Sequence, residues 1–250
     1  MRVILPPVTP EETVAHASPM IGNLGWAFYF TPETLARGKE LGLDGFRFYF
    51  LGRGGVLGDV DWPVVQAAFG YFAPALVERI WTSARERVAP AAAAHEYWNC
   101  CAALGRARLL GIEDLDGFCG AAKAVNDAAD PVGLTLYSGT RAQPLADDAP
   151  ARAMQLLAVL REHRGSAHLL AVRASGLDAK TAHFIRRPAD IGSFGWTADD
   201  APAVTDVERA KLAAVDTLTD ELVLPAFAVL DADGRHALLS GLDAVRAALA

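Results

Sequence analysis

Cysteine is scarce in this 250-residue chain: Cys100, Cys101 and Cys119 are the only three, and no two form a CxxC pair. That excludes the usual zinc-ribbon and dithiol motifs. Adjacent cysteines do not readily bridge each other, so the three are expected as reduced thiols in Ala-rich helices of a cytoplasmic protein. Long apolar runs are missing too. No window approaches the ~18 uninterrupted apolar residues of a membrane span, so no membrane partner is expected. The opening MRVILPPVTPEE lacks the apolar core of a signal peptide and is broken at Pro6-Pro7.

Positive charge is in deficit, with 23 Lys+Arg against 30 Asp+Glu and a formal charge of -7. A field of that sign opposes nonspecific attraction to DNA or anionic lipid and leaves only a local basic patch to do such work. Several catalytic signatures are absent as well. His95-Glu96 has no second histidine to complete HExxH, there is no GxSxG, and the glycines between Gly52 and Gly58 fit neither a Walker nor a Rossmann pattern. No internal repeat or low-complexity tract appears beyond alanine enrichment. What is present, 52% hydrophobic residues with 21% charged, suffices for a core.

In order along the chain, residues 1–25 are rich in Pro and Gly and read as an irregular N-terminal arm. Thr31-Pro32-Glu33 starts a helix by cap, first-turn proline and dipole-matched acid, and Gly42 or Gly45 closes it. The aromatic run Phe46, Phe48, Tyr49, Phe50 leads into a Gly-rich loop around Arg53. A guanidinium there suits bidentate contact with a carboxylate or phosphate; the alternative is a structural pairing with Asp59 or Glu162. Asp61 caps a helix carrying Trp62, Val65, Phe69 and Phe72, which Pro74 kinks or breaks. Pro90 opens the next helix, residues 113–130 form another, and GLTLYSG reads as a loop or short extended piece. The polar connector before Pro150 suggests a boundary between an N-terminal helical half, 26–145, and a C-terminal half, 146–250.

The chain is organised around residues 156–187, LLAVLREHRGSAHLLAVRASGLDAKTAHFIRR. An apolar helix runs into the polar knot Arg161-Glu162-His163-Arg164-Gly165-Ser166, with His168 just beyond. Gly165 is expected to stop the first helix and Ser166 to cap a second. Ser175-Gly176 breaks that one, and Asp178 caps a third. Short helices joined by a Gly-containing turn are the pattern of a helix-turn-helix. A long helix is expected from about Val204, and a last one from Leu238 to Leu249, after an Ala-Asp-Gly turn.

The order of motifs resembles the SalK-like family, helix-turn-helix-related proteins found largely beside secondary-metabolite genes. The resemblance rests on Tyr29-Phe30-Thr31-Pro32-Glu33, on Tyr49-Phe50-Leu51-Gly52-Arg53 with Leu57-Gly58, and on the helix with Phe69, Phe72, Pro74, Leu76 and Val77. The Arg161-to-His168 knot, Gly195-Trp196-Thr197 and Thr219-Asp220 complete it. It implies a mostly α, winged-helix-derived fold. Two departures stand out: Ser166-Ala167 replaces the family's Asp-Gly, and the short stretch between Trp196 and Val204 implies a truncated second winged-helix unit. Winged-helix relatives often pair through terminal helices, which makes a homodimer an admissible assembly.

Function divides three ways. The first is a small-molecule-binding protein or enzyme of specialised metabolism, with an interior pocket at the knot. Glu162, His163 and His168 are then the catalytic candidates, because a His beside a carboxylate can act as a general base. Arg53, Arg164, Tyr49, Phe72, Trp98 and Asp220 are the ligand-binding candidates, with Trp26, Phe48, Phe69 and Tyr71 as further apolar wall. The second is a DNA-binding regulator, with Lys180, His183 and Arg187 on one face of the third helix by i, i+3, i+7 spacing and Arg186 beside them. The third is a structural protein in which the knot is a buried ion-pair hub. His163 and His168, five apart across a break, do not make a helical metal-ligand pair, and no metal is expected. No cofactor is specified by any motif.

Overall fold

The computed structural model describes residues 8–250, and among them there are α-helices and 3-10 turns but no strand. The mostly α expectation holds. The lead-in expected to be irregular carries α1, Pro10–Leu24. Thr9 and Glu12 close a capping box over its first turn, and Pro10 sits where its missing N–H costs nothing. Residues 1–7 of that stretch lie outside the described residues. Thr31 caps α2, Pro32–Glu40, as its sequence implied.

The expected Gly-rich loop is instead the end of a helix, α3, Gly45–Gly54, followed by a 3-10 turn at Gly55–Leu57. Its glycines serve packing. A Cβ on Gly52 would stand 2.5 Å from the Tyr97 ring, and one on Gly55 would collide with the Pro90 carbonyl. Their bareness lets α3 lie close against the helix that carries Tyr97. Next come α4, Trp62–Phe69, and α5, Pro74–Arg85. Pro74 does break the pattern, and it sits at the start of α5. Gly70, at φ 74, makes the turn between the two.

The chain continues with α6, Pro90–Arg108, α7, Leu115–Ala128, and a short α8, Thr135–Arg141. The last corrects the loop or extended reading of GLTLYSG. Leu136, Tyr137 and Thr140 are buried at helical spacing, and the Tyr137 hydroxyl donates to the Asn126 carbonyl at 2.8 Å.

The central helix is α9, Ala149–Ala174, capped by Asp148 and unbroken at Gly165. Gly165 therefore does not stop a helix, and the expected first and second helices are one. Every residue from 153 to 160 is buried. A helix apolar on all faces must be surrounded, and α9 packs against α1, α6, α7, α8 and a later helix, α11, Asp206–Phe227. The turn lies one step further on. Ser175-Gly176, with Gly176 at φ 75, separates α9 from α10, Ala179–Arg186, which Asp178 caps through the Thr181 N–H.

Beyond α10, 3-10 turns at Ile191–Phe194 and Ala198–Asp200 lead to α11, which starts at a Thr205–Glu208 capping box. The chain closes with α12, Ala232–Leu249. It begins earlier than expected because the Asp-Gly taken for a turn is its first turn, with Asp231 accepting from the Gly234 N–H.

The buried side chains fall into two clusters. The larger runs from Val14 on α1 to Val245 on α12 and gathers most of the aromatics. The smaller holds Ala171, Val172, Leu177, Ala182, Leu212 and Val215, the inner faces of the α9 end, α10 and α11. The seam between these two clusters positions the site.

Candidate functional site

At the middle of α9 the apolar stripe gives way to the knot, and its one carboxylate is almost entirely enclosed. Glu162 is 2% exposed. Arg53 donates to both of its oxygens, Nε to Oε1 and Nη2 to Oε2, each at 2.8 Å. Arg161 donates to Oε1 at 2.7 Å, and the Tyr29 hydroxyl donates to the same oxygen at 2.8 Å. The guanidiniums are seated on rings, Arg53 4.5 Å from the Phe69 centroid and Arg161 5.0 Å from that of Tyr29. A further Arg53 bond, 2.9 Å to the Tyr49 hydroxyl, uses its remaining nitrogen. Burial alone would raise the Glu162 carboxyl, but the two arginines prevail and hold it at about 2. It is a fixed anion whose oxygens are occupied, a poor proton acceptor at neutral pH.

Beside this cluster, along the seam, opens a cleft of about 260 Å³. Phe69, Phe72 and Tyr71 form one wall; Arg164, Gly165, His168 and Leu169 of α9 form another, and His183 and Arg186 of α10 the third. The Tyr71 segment is pinned in place. The Ala73 N–H donates to the Phe194 carbonyl at 2.8 Å, Trp196 Nε1 donates to the Tyr71 carbonyl at 2.9 Å, and Phe194 stacks on Phe72 at 4.3 Å. The Gly-Trp-Thr motif thus fastens the segment after α10 onto the turn between α4 and α5.

The cleft is under-bonded. Six buried side-chain polar atoms among the described residues have no hydrogen-bond partner, and three of them, Tyr71 Oη, Arg164 Nε and His183 Nε2, belong to residues lining this one cleft. His168 also lines it. Thr219 spends its hydroxyl proton on the Val215 carbonyl at 2.7 Å, so its oxygen accepts from His168 Nδ1 at 3.0 Å. That assigns the Nδ1–H tautomer and leaves a lone pair on Nε2. Burial, then Arg186 and Arg164, push the His168 imidazole down to about 4, against a smaller opposite pull from Asp216.

The remaining candidates divide. Arg53, Glu162, Arg164, His168, Tyr49 and Phe72 come together at the cleft, with Phe69 and Tyr71 of the expected walls. His163 does not join them. Two residues along an α-helix is about 200° of rotation, so His163 turns away from Gly165 and lies on the Tyr137 ring at 4.8 Å. Trp98 donates to the Pro144 carbonyl and borders a separate small void. Asp220 lies behind the cleft, accepting from Ser18 at 3.2 Å and standing 3.6 Å from Arg164. Phe48 is deep in the core, and Trp26 is 47% exposed.

The expected reading face of α10 is split. His183 is 4% exposed and lines the cleft, Arg187 lines it too but is exposed, and Lys180 lies over the Trp196 ring at 4.9 Å. Arg161, Leu169 and Phe194 were not singled out for the site. Arg161 was visible within the knot and Phe194 beside the Gly-Trp turn, but a seam between two cores has no linear signature.

An all-helical fold with an α9–turn–α10 unit, its turn made by a left-handed glycine and its second helix capped by Asp178, defines a helix-turn-helix protein. The family model described as a helix-turn-helix family matches residues 15–250, and the chain belongs to that family. Comparison with curated proteins and with solved structures gives no match.

Proposed function

We propose that this protein binds a small organic molecule in the cleft between α9, α10 and the Phe69–Phe72 segment. The observation that carries the reading is that three residues lining it, Tyr71, Arg164 and His183, each hold a buried polar atom without a partner. Each unsatisfied buried group costs about 1–3 kcal/mol, and a ligand that bonds all three recovers that cost. The lining combines aromatic wall with a few convergent polar groups, the usual composition of a ligand pocket. The resemblance to the SalK-like family makes a metabolite of specialised metabolism the natural class. Binding is favoured over acid–base catalysis because Glu162 and His168, held at about 2 and about 4, are weak bases near neutral pH.

The test uses Gly165. A Cβ there meets nothing within 4 Å, and the position lines the cleft, so Gly165→Leu fills the cleft from a tolerant helical site. In a thermal-shift screen of metabolite-like compounds, stabilising hits on the parent protein are expected to vanish in the variant, whose own Tm is unchanged or raised. Hits that persist in the variant place binding elsewhere and sink the reading.

A second reading, a DNA-binding regulator, is favoured by the family. The second helix of such a unit commonly enters the major groove, and exposed Arg187 with Lys180 supply cations on α10. Duplex DNA titrated at low and moderate salt decides it. Salt-sensitive, sequence-selective binding lost in Lys180→Ala/Arg187→Ala supports a regulator, and no binding even at low salt removes it.

A further inference from the structure

We infer that the ligand of this cleft is an aromatic carboxylate, its acid group held between Arg164, Tyr71 and His183 and its ring body against the Phe69–Phe72 wall. The inference rests on the reading of the cleft as a small-molecule site. The unspent groups define what the guest must offer. An arginine Nε–H can only donate, and Arg164 Nε is buried without an acceptor. The Tyr71 hydroxyl, pushed up by burial to about 12, keeps its proton and is a second idle donor. His183, 4% exposed, brings an unpartnered Nε2 that donates in one tautomer. The ring centroids of Tyr71 and His183 stand 6.1 Å apart. These donors are matched by acceptor oxygens.

Charge narrows the class from any acceptor to an anion. Arg53, Arg161, Arg164, Arg186 and Arg187 line the cleft against one carboxylate, Glu162. That carboxylate is shared by Arg53 and Arg161. The acids that approach the other three, Asp220 at 3.6 Å from Arg164, Asp216 at 2.7 Å from Arg186 and Asp190 at 3.9 Å from Arg187, are not among the lining residues. With those acids counted, the five arginines face four carboxylates, Glu162, Asp190, Asp216 and Asp220, so the cleft keeps a small positive excess in a protein whose total charge is -7. Such a cleft concentrates organic anions locally while the remainder of the surface repels them.

A carboxylate fits better than a phosphate. Phosphate sites typically recruit free main-chain N–H groups at a helix N-terminus. Here the α9 and α10 lining comes from the middle of α9 and from Ala182 to the C-cap Arg187 of α10, where helical N–H groups are already bonded. A flat guanidinium beside phenolic and imidazole groups matches a planar two-oxygen acid. The guest's body must then occupy the space lined by Phe69, Phe72 and Phe194, where an aromatic ring gains offset or edge contacts that an aliphatic chain does not. At about 260 Å³ the cleft suits one or two rings.

The experiment is isothermal titration calorimetry of the intact protein with 2-naphthoate, the neutral 2-naphthalenemethanol and 2-naphthyl phosphate. Naphthoate is expected to bind at least tenfold more tightly than the alcohol and more tightly than the phosphate. Tyr71→Phe, which deletes one oxygen and retains the ring, and Arg164→Gln should each weaken naphthoate at least fivefold and leave the alcohol within twofold. Circular dichroism melting checks that both variants fold, and Tyr71→Phe alone suffices should Arg164→Gln fail. Alcohol binding as tight as naphthoate, with no effect of Tyr71→Phe, overturns the acid assignment and leaves a neutral-ligand cleft standing. Preference for the phosphate overturns the carboxylate. Binding of none of the three overturns the aromatic-acid class, and the metabolite screen with Gly165→Leu then judges the cleft itself.

Discussion

Glu162 shows how much one residue can commit a fold to. It is a lone carboxylate between two guanidiniums, so its removal and the removal of one arginine are not equivalent. Glu162→Gln leaves Arg53 and Arg161 buried without an anion, whereas Arg53→Met leaves Glu162 still paired with Arg161. Breaking a buried pair by deleting one partner costs roughly 3–5 kcal/mol. Urea denaturation should show a loss in that range for Glu162→Gln and a distinctly smaller one for Arg53→Met; equal losses would mean that the second arginine contributes nothing. The Arg53–Glu162 pairing was legible in the sequence as the structural alternative for Arg53, while Asp59 pairs instead with Arg85 at 2.9 Å. His163 was placed on the wrong side because its direction depends on the phase of a helix continuous through Gly165, and a glycine beside a polar knot looks like an end.

That continuity is the main lesson at the scale of elements. Caps and first-turn prolines were readable: Thr31, Pro90 and Asp178 all lie where they signalled. Interior glycines misled, because the same residue that ends a helix also thins one for close packing or leaves room beside a cleft. The two glycines of the helix-turn-helix stretch separate these roles. Gly165 lies mid-helix with open space around it, so Gly165→Ala is expected to stabilise by about 0.5–1 kcal/mol through the lost backbone freedom of the unfolded chain. Gly176 holds φ 75, which costs an L-residue roughly 1–2 kcal/mol, so Gly176→Ala should lower stability by that order. Opposite signs in thermal melts check the assignment of the turn. A stabilising Gly176→Ala would move the turn elsewhere.

At the scale of the whole molecule, acidity is a poor guide to the interior, where the charges that matter are basic. The composition revealed a helical core and could not reveal that arginines from α3, α9 and α10 line one seam, because the seam joins residues more than a hundred positions apart. The same enclosure sets a pH dependence. Burial pushes His163 to about 4, with Arg141 adding to it, and His168 to about 4, with Arg186 and Arg164 adding to it; His183 is lowered by burial and then by Arg187. These groups stay neutral in the fold and take up protons when unfolded below about 6.5. Between about 6.5 and 4 the unfolded state therefore binds more protons, and stability falls as pH falls through that window. Each such histidine contributes at most about 1.4 kcal/mol per pH unit. Carboxylates held low in the fold add little to a loss above about 5.5, where their unfolded forms are still almost fully ionised. Urea midpoints at pH 7, 6 and 5 are thus expected to fall, and His163→Gln/His168→Gln should flatten most of the slope even if it lowers stability at pH 7. A flat wild-type profile would mean that water or a partner group reaches these rings and lets them protonate in place.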